Sequence, residues 1–167
     1  GGSGHLVLQL AKHLYPQSPV FVFARSPEQR AFALKLGADW AGDTADAPPA
    51  GADAIIDTTP VWAPVLAALE RLNPGARLVI NAIRKQADDA GVLASLRYEE
   101  HLWLEKEIKS VANITYRDIA EFLPVAAEIP IEVETECYPL EAANRALREL
   151  KFEPVRGAKV LEIRRAA

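Results

Sequence analysis

The sequence predicts an α/β fold: a doubly wound parallel sheet with helices on both faces. Short apolar runs bounded by Pro, Gly or polar residues alternate with longer stretches of helical period. The apolar runs are continuous rather than alternating, as strands buried on both faces require. The connections between them are mostly short, which suits strand-helix-strand units.

The elements follow in order along the chain. "GGSGHLVLQLAKHL" opens on glycines and carries a helical apolar stripe from Leu6 to Leu14. "PVFVFA" over 19–24 is a β-branched and aromatic run bounded by Pro19, and it reads as a buried strand. "SPEQRAFALKLGAD" supplies Ser26 as N-cap, Pro27 at the first helical position, Glu28 in the first turn and Gly37 as C-cap. A short strand over 38–42 and a longer one over 52–59 are expected next. "VWAPVLAALERLNPG" reads as a helix stopped by Asn73, Pro74 and Gly75, and "ARLVINAI" over 76–83 as the following buried strand.

The second half is less regular. It predicts a strand near 107–112, a helix from "TYRDIAEFLPVAAEI" interrupted at Pro124, an extended segment "PIEVETECYPL", a helix "LEAANRALREL" and a last strand "AKVLEI". A boundary is expected near residue 115.

Composition narrows the function classes. The 167 residues are long enough for one domain with a real core, and half of them are apolar. The 19 basic and 23 acidic residues give a net charge of -4, with no long block of either sign, so no nucleic-acid footprint is visible. "EIRRAA" at the end reads as a solvated basic tail. No apolar stretch reaches the ~18 residues of a membrane span. The single cysteine, Cys137, excludes an internal disulfide and a Cys-rich zinc site, and it suits a reducing, cytoplasmic setting. The absence of an initiator Met points to a start upstream of Gly1.

"GGSG" is the trailing half of a dinucleotide fingerprint, with Gly1, Gly2, Ser3 and Gly4 at the turn where a pyrophosphate meets a helix N-terminus. By itself it only barely outweighs a flexible cloning remnant. The acidic residue that binds an adenosine ribose lies about 20 residues further on in this motif, at the end of the second strand. That position is Ala24, followed by Arg25 and Ser26. A guanidinium and a hydroxyl in place of a carboxylate favour a 2′-phosphate, hence NADP over NAD, with Arg30 as a second cation. The alternative is that Arg25 and Ser26 are a solvated helix cap.

The order of "GGSGHLVLQLAKHL", "VFVFARSPEQRAFALKLGAD", "ADAIIDTTPVWAPVLAALERLNPGARLVINA", "YPLEAANRALRELK" and "RGAKVLEI" resembles the C-terminal half of the medium-chain dehydrogenase/reductase superfamily. It is most similar to the zinc-type alcohol dehydrogenases. The resemblance covers essentially the whole chain. It implies a Rossmann-like cofactor domain over 1–115 that lacks its first strand, and a returning segment of the catalytic domain over 116–167. It further implies that the chain is a piece of a longer enzyme that exchanges hydride between a nicotinamide and an alcohol or aldehyde. Zinc would sit in the other half, and this chain alone would be inactive. Carried over residue by residue, Thr58, Thr59, Asn81, Ala82, Ile83 and Asn113 match the loops on the nicotinamide side, and Arg156 or Lys159 a basic residue on the pyrophosphate. The resemblance leaves room for a homo-oligomer and gives no membrane or nucleic-acid partner.

The remaining reactive residues read as structural. His5 suits packing or capping, His13 and His101 solvated helix faces, and Cys137 a buried thiol beside Tyr138 and Pro139. Asp57 ends a buried strand, where a structural hydrogen-bonding role and a substrate contact both fit. Two other functions share the visible pattern: a zinc-free quinone or enoyl reductase of the same superfamily, and a nucleotide-binding regulatory domain without catalysis.

Overall fold

The structure is a computed structural model describing residues 3–153 and 157–163. α1 (Gly4–Leu14) is followed by β1 (Phe21–Phe23), α2 (Pro27–Lys35) and β2 (Trp40–Gly42). Then come β3 (Ala52–Asp57), α3 (Ala63–Glu70), β4 (Leu72–Ile80), α4 (Tyr98–His101) and β5 (Glu107–Ser110). α5 (Tyr116–Glu128), β6 (Thr135–Pro139), α6 (Ala143–Phe152) and β7 (Ala158–Glu162) complete the chain.

Every strand pair is parallel. β1 pairs with β2, with Val22 opposite Ala41. β4 lies between β3 and β5, with Ile56 and Lys109 on either side of Val79. β1 has no partner besides β2, and β3 none besides β4, among the described residues. The architecture is Rossmann-like, with the sheet in two blocks. β6 and β7 form a separate parallel pair against α6.

The core is divided in the same way. Val65 and Leu69 of α3 pack on Leu72, Ala76, Leu78 and Ile80 of β4. Leu69 and Leu78 have no exposed surface, so each contributes about 1.5–3 kcal/mol of burial. A smaller cluster joins Leu8 of α1 to Ala33 of α2 and to Ala38. Arg71 bridges the blocks: its guanidinium donates to Thr44 O and Asp46 O at 3.0 Å and lies 5.4 Å from the centre of the Phe23 ring. Lys12 of α1 pairs with Asp39 at 2.9 Å, while Asp39 also accepts from Val20 N.

Three expectations change. α3 ends at Glu70, and Asn73, Pro74 and Gly75 fall inside β4 instead of stopping the helix. The ladder skips them, passing from Ala52 opposite Leu72 to Ala54 opposite Arg77, which is how a strand accommodates a proline that cannot donate. Gly75 takes φ 72 in that excursion, and its N–H reaches Leu104 O at 2.8 Å. The predicted strand over 76–83 stops at Ile80, so Asn81, Ala82 and Ile83 form a loop. α5 runs unbroken through Pro124. Its start is held by a capping box in which Thr115 and Asp118 exchange side-chain and backbone bonds, and its surface is exposed, leaving room around the proline ring.

Gly157 is constrained more tightly than any expectation drawn from the sequence. It has φ 65, and a Cβ there would fall 1.8 Å from Glu134 O at the entrance to β6. Gly157→Ala should lower the thermal midpoint, costing about 1–2 kcal/mol for the left-handed backbone alone, with the clash added to it. Calorimetry of the variant beside the unaltered chain measures this.

Candidate functional site

Parallel strands bring their carboxyl ends to one edge, and in open α/β sheets ligands bind there. At that edge, α1 begins next to the end of β3: a Cβ on Gly4 would lie 3.8 Å from Thr58 Oγ1. α1 has no acidic residue in its first turn, and the Ser3 hydroxyl makes no capping bond. The positive end of the helix dipole is therefore not offset by its own side chains, the condition that suits an anion. His5 is buried behind this turn, its ring 6.1 Å from that of Phe32 on α2.

The end of β1 supplies the second part. Ser26 caps α2, its Oγ accepting from Gln29 N at 3.2 Å, and Arg25 beside it is exposed. Arg30 donates to Ala24 O at 2.8 Å, Arg25 O at 2.9 Å and the Asp43 carboxylate at 3.1 Å. It thus braces the turn from which Arg25 projects, with its own charge matched by Asp43.

The third part is built by the loops after β3 and β4. Asp57 is buried at the end of β3, and its Oδ1 accepts from Thr59 N at 3.1 Å and Thr59 Oγ1 at 2.7 Å. Its Oδ2 pairs with Lys85, whose Nζ also donates to Thr59 O and Val61 O at 2.9 Å. The ammonium lies 5.7 Å from the centre of the Trp62 ring. The two side chains are only 9% and 5% exposed, so removing one partner should cost about 3–5 kcal/mol by stranding the other charge. Sequence reasoning missed Lys85. A buried strand ending in Asp57 demands a cation, and that demand was the available signal.

Thr58, Asn81 and Ile83 are exposed around this pair, and Thr59 and Ala82 are half-buried. Asn113 is exposed beyond β5 in the left-handed region, at φ 61. Gly1, Gly2, Arg156 and the basic residues at the chain end lie outside the described residues.

Lys159 belongs to a different cluster. It bridges Glu136 and Glu149 at 2.7 Å and donates to the hydroxyl of buried Tyr138, which in turn donates to Glu149. These bonds join β6, α6 and β7. Burial first, and then the carboxylates of Glu136 and Glu149, push the Tyr138 phenol up to about 12. Glu136, Glu149 and the phenol oxygen hold the Lys159 ammonium above its ordinary value. Both groups keep their protons more tightly folded than unfolded. Their contribution is complete below pH 10 and falls as pH rises past the unfolded values of 10.0 and 10.5. The urea midpoint should fall as pH rises from 10 toward 12, and in Lys159→Met only the Tyr138 part of that fall should remain.

Two side chains depart from expectation. His101 is 2% exposed rather than solvated, because α4 folds its ring against α3: Nδ1 meets Arg97 N and O, and Nε2 lies 3.4 Å from Glu70. Cys137 is exposed rather than buried, since the neighbouring Tyr138 takes the inward face of β6.

The described residues do not fit a zinc ion: no group of three or more His, Cys, Asp or Glu side chains converges among them. No described helix is long and apolar enough to cross a membrane.

A Rossmann-like sheet with an anion-ready helix start beside its strand ends is the arrangement at which nucleotides bind in open α/β proteins. The chain belongs to the zinc-binding dehydrogenase family, whose model matches residues 2–128. It is 40% identical over 163 residues to "Probable alcohol dehydrogenase AdhA" of Mycobacterium tuberculosis, covering 98% of this chain and 45% of that protein. The chain therefore spans less than half the length of that relative. Among solved structures, a cinnamyl alcohol dehydrogenase of Sorghum bicolor matches with TM-score 0.76 and 25% identity over 95% of this chain and 44% of that one. A short chain alcohol dehydrogenase of E. coli, solved with NADH, matches with TM-score 0.68 and 19% identity over 96% of this chain and 49% of that one.

Proposed function

We propose that this chain is the cofactor-binding part of a longer, cytoplasmic NADP(H)-dependent oxidoreductase of alcohol dehydrogenase type. The carrying observation is the meeting of Gly4 and Thr58 at the strand ends, with Arg25 exposed after a β1 end that lacks a carboxylate. Ser3 and Gly4 seat the pyrophosphate on the α1 N-terminus. Arg25 and the Ser26 hydroxyl take the adenosine 2′-phosphate, while Arg30 braces their turn. Thr58, Thr59, Asn81, Ala82 and Ile83 line the nicotinamide end, with Asn113 beyond β5.

When bound, the nicotinamide supplies a hydride carrier at its C4 atom. The chain's own residues bind and orient that ring. Zinc and the groups that bind the alcohol or aldehyde and move its proton belong to the remainder of the enzyme. Coverage of under half of a close relative supports that division, as do the strand edges of β1 and β3 that carry no partner among the described residues. With zinc and the proton path assigned to the remainder of the enzyme, the 167-residue chain alone should not reduce aldehydes.

Calorimetric titration tests the cofactor assignment. NADPH should bind more tightly than NADH, and Arg25→Ala should weaken NADPH by about 10- to 100-fold while leaving NADH nearly unchanged, the loss of one charge-assisted bond. Tighter NADH binding by the unaltered chain would overturn the NADP assignment.

A further inference from the structure

The loop after β4 is pinned at both feet. Asn81 N donates to Asp57 O at 2.8 Å, and Lys85 reaches Asp57, Thr59 O and Val61 O. Beyond Lys85 the fastening continues: Gln86 N donates to Pro60 O at 2.7 Å, and Asp89 Oδ2 accepts from Trp62 N and Ala63 N at the start of α3. Between the feet, Ala82, Ile83 and Arg84 form an arch, and the Ile83 side chain stands fully exposed at its crest. A loop that commits a buried ammonium to three acceptors of its neighbour, yet displays an isoleucine to solvent, is held for something to rest against it.

We propose that Lys85 is a positioning residue for the nicotinamide end of the cofactor, locking the loops after β3 and β4 into one rigid cradle. This rests on the cofactor reading above. Lys85 itself makes no contact with the cofactor; its three acceptors all belong to the β3 loop. Its effect is to set where Thr58, Thr59 and Ile83 stand relative to one another. Unpinned, the arch would sample many positions, and the ordering cost would fall on ligand binding. The adenosine end, built on β1 and α2, shares none of these bonds.

Two ligands separate the ends. NADPH spans the whole site, while adenosine 2′,5′-bisphosphate has no nicotinamide ring. Binding of both to the unaltered chain, Lys85→Met and the double variant Asp57→Asn/Lys85→Met is read by calorimetry, and stability by thermal unfolding. In Lys85→Met, NADPH affinity should fall about 10-fold or more while the bisphosphate stays within about twofold. The double variant leaves no stranded charge, so it should recover much of the thermal midpoint yet keep the NADPH defect. It also carries the test if Lys85→Met fails to fold. An unchanged ratio of the two affinities, or a double variant that regains the ratio together with stability, would refute the positioning role alone. Failure of the unaltered chain to bind either ligand would instead refute the cofactor reading, and this inference with it.

Discussion

Two charges that could not be buried singly are buried together where β3 ends, and the geometry of the candidate site depends on them. Asp57 closes β3, and its carboxylate is matched by Lys85 from the loop after β4. Neither could be left alone at that depth without several kcal/mol of penalty. The loops after β3 and β4 are therefore obliged to lie together, and the residues that face a ligand inherit that arrangement. Trp62 adds a ring beside the ammonium, and Asp89 holds the first amides of α3, so the same loop also fixes where α3 begins.

Around that pair the molecule is less uniform. The packing between α3 and β4 is dense and apolar, whereas α1, α2, β1 and β2 share a small cluster of their own. Arg71 links the blocks through two carbonyls and the Phe23 ring, and Gly4 lies close to Thr58. The adenosine end and the nicotinamide end of the proposed site are accordingly built on different blocks, and a dinucleotide lying across them would itself strengthen the connection. The C-terminal unit of β6, α6 and β7 is tied to α1 through Gln9, whose amide exchanges bonds with the backbone of Glu132.

Legibility in the sequence follows the range of the forces involved. Local signals carried well: Ser26 and Pro27 opened α2 as expected, and the β-branched runs became strands. Asn73, Pro74 and Gly75 misled because they look the same whether they end a helix or bulge a strand. Only the register between β3 and β4 distinguishes these. Cys137 was expected to be buried because a short strand shows one face to α6, and the sequence does not say which; it is Tyr138 that faces inward. That Lys85 answers Asp57, and that His101 is buried, could not be read for a more general reason. Their partners, Asp57 and Glu70, lie on earlier elements, and a lone basic residue in a polar loop reads as solvated until the fold brings an acid to it.

Hydrogen-deuterium exchange with and without NADPH tests the central claim, that the two loops act as one cradle for the cofactor. Amides of residues 58–63 and 81–89 should slow together on adding NADPH, and those of 136–139 in β6 should not change. Protection of only one of the two loops, or protection confined to β6 and its neighbours, would contradict the account.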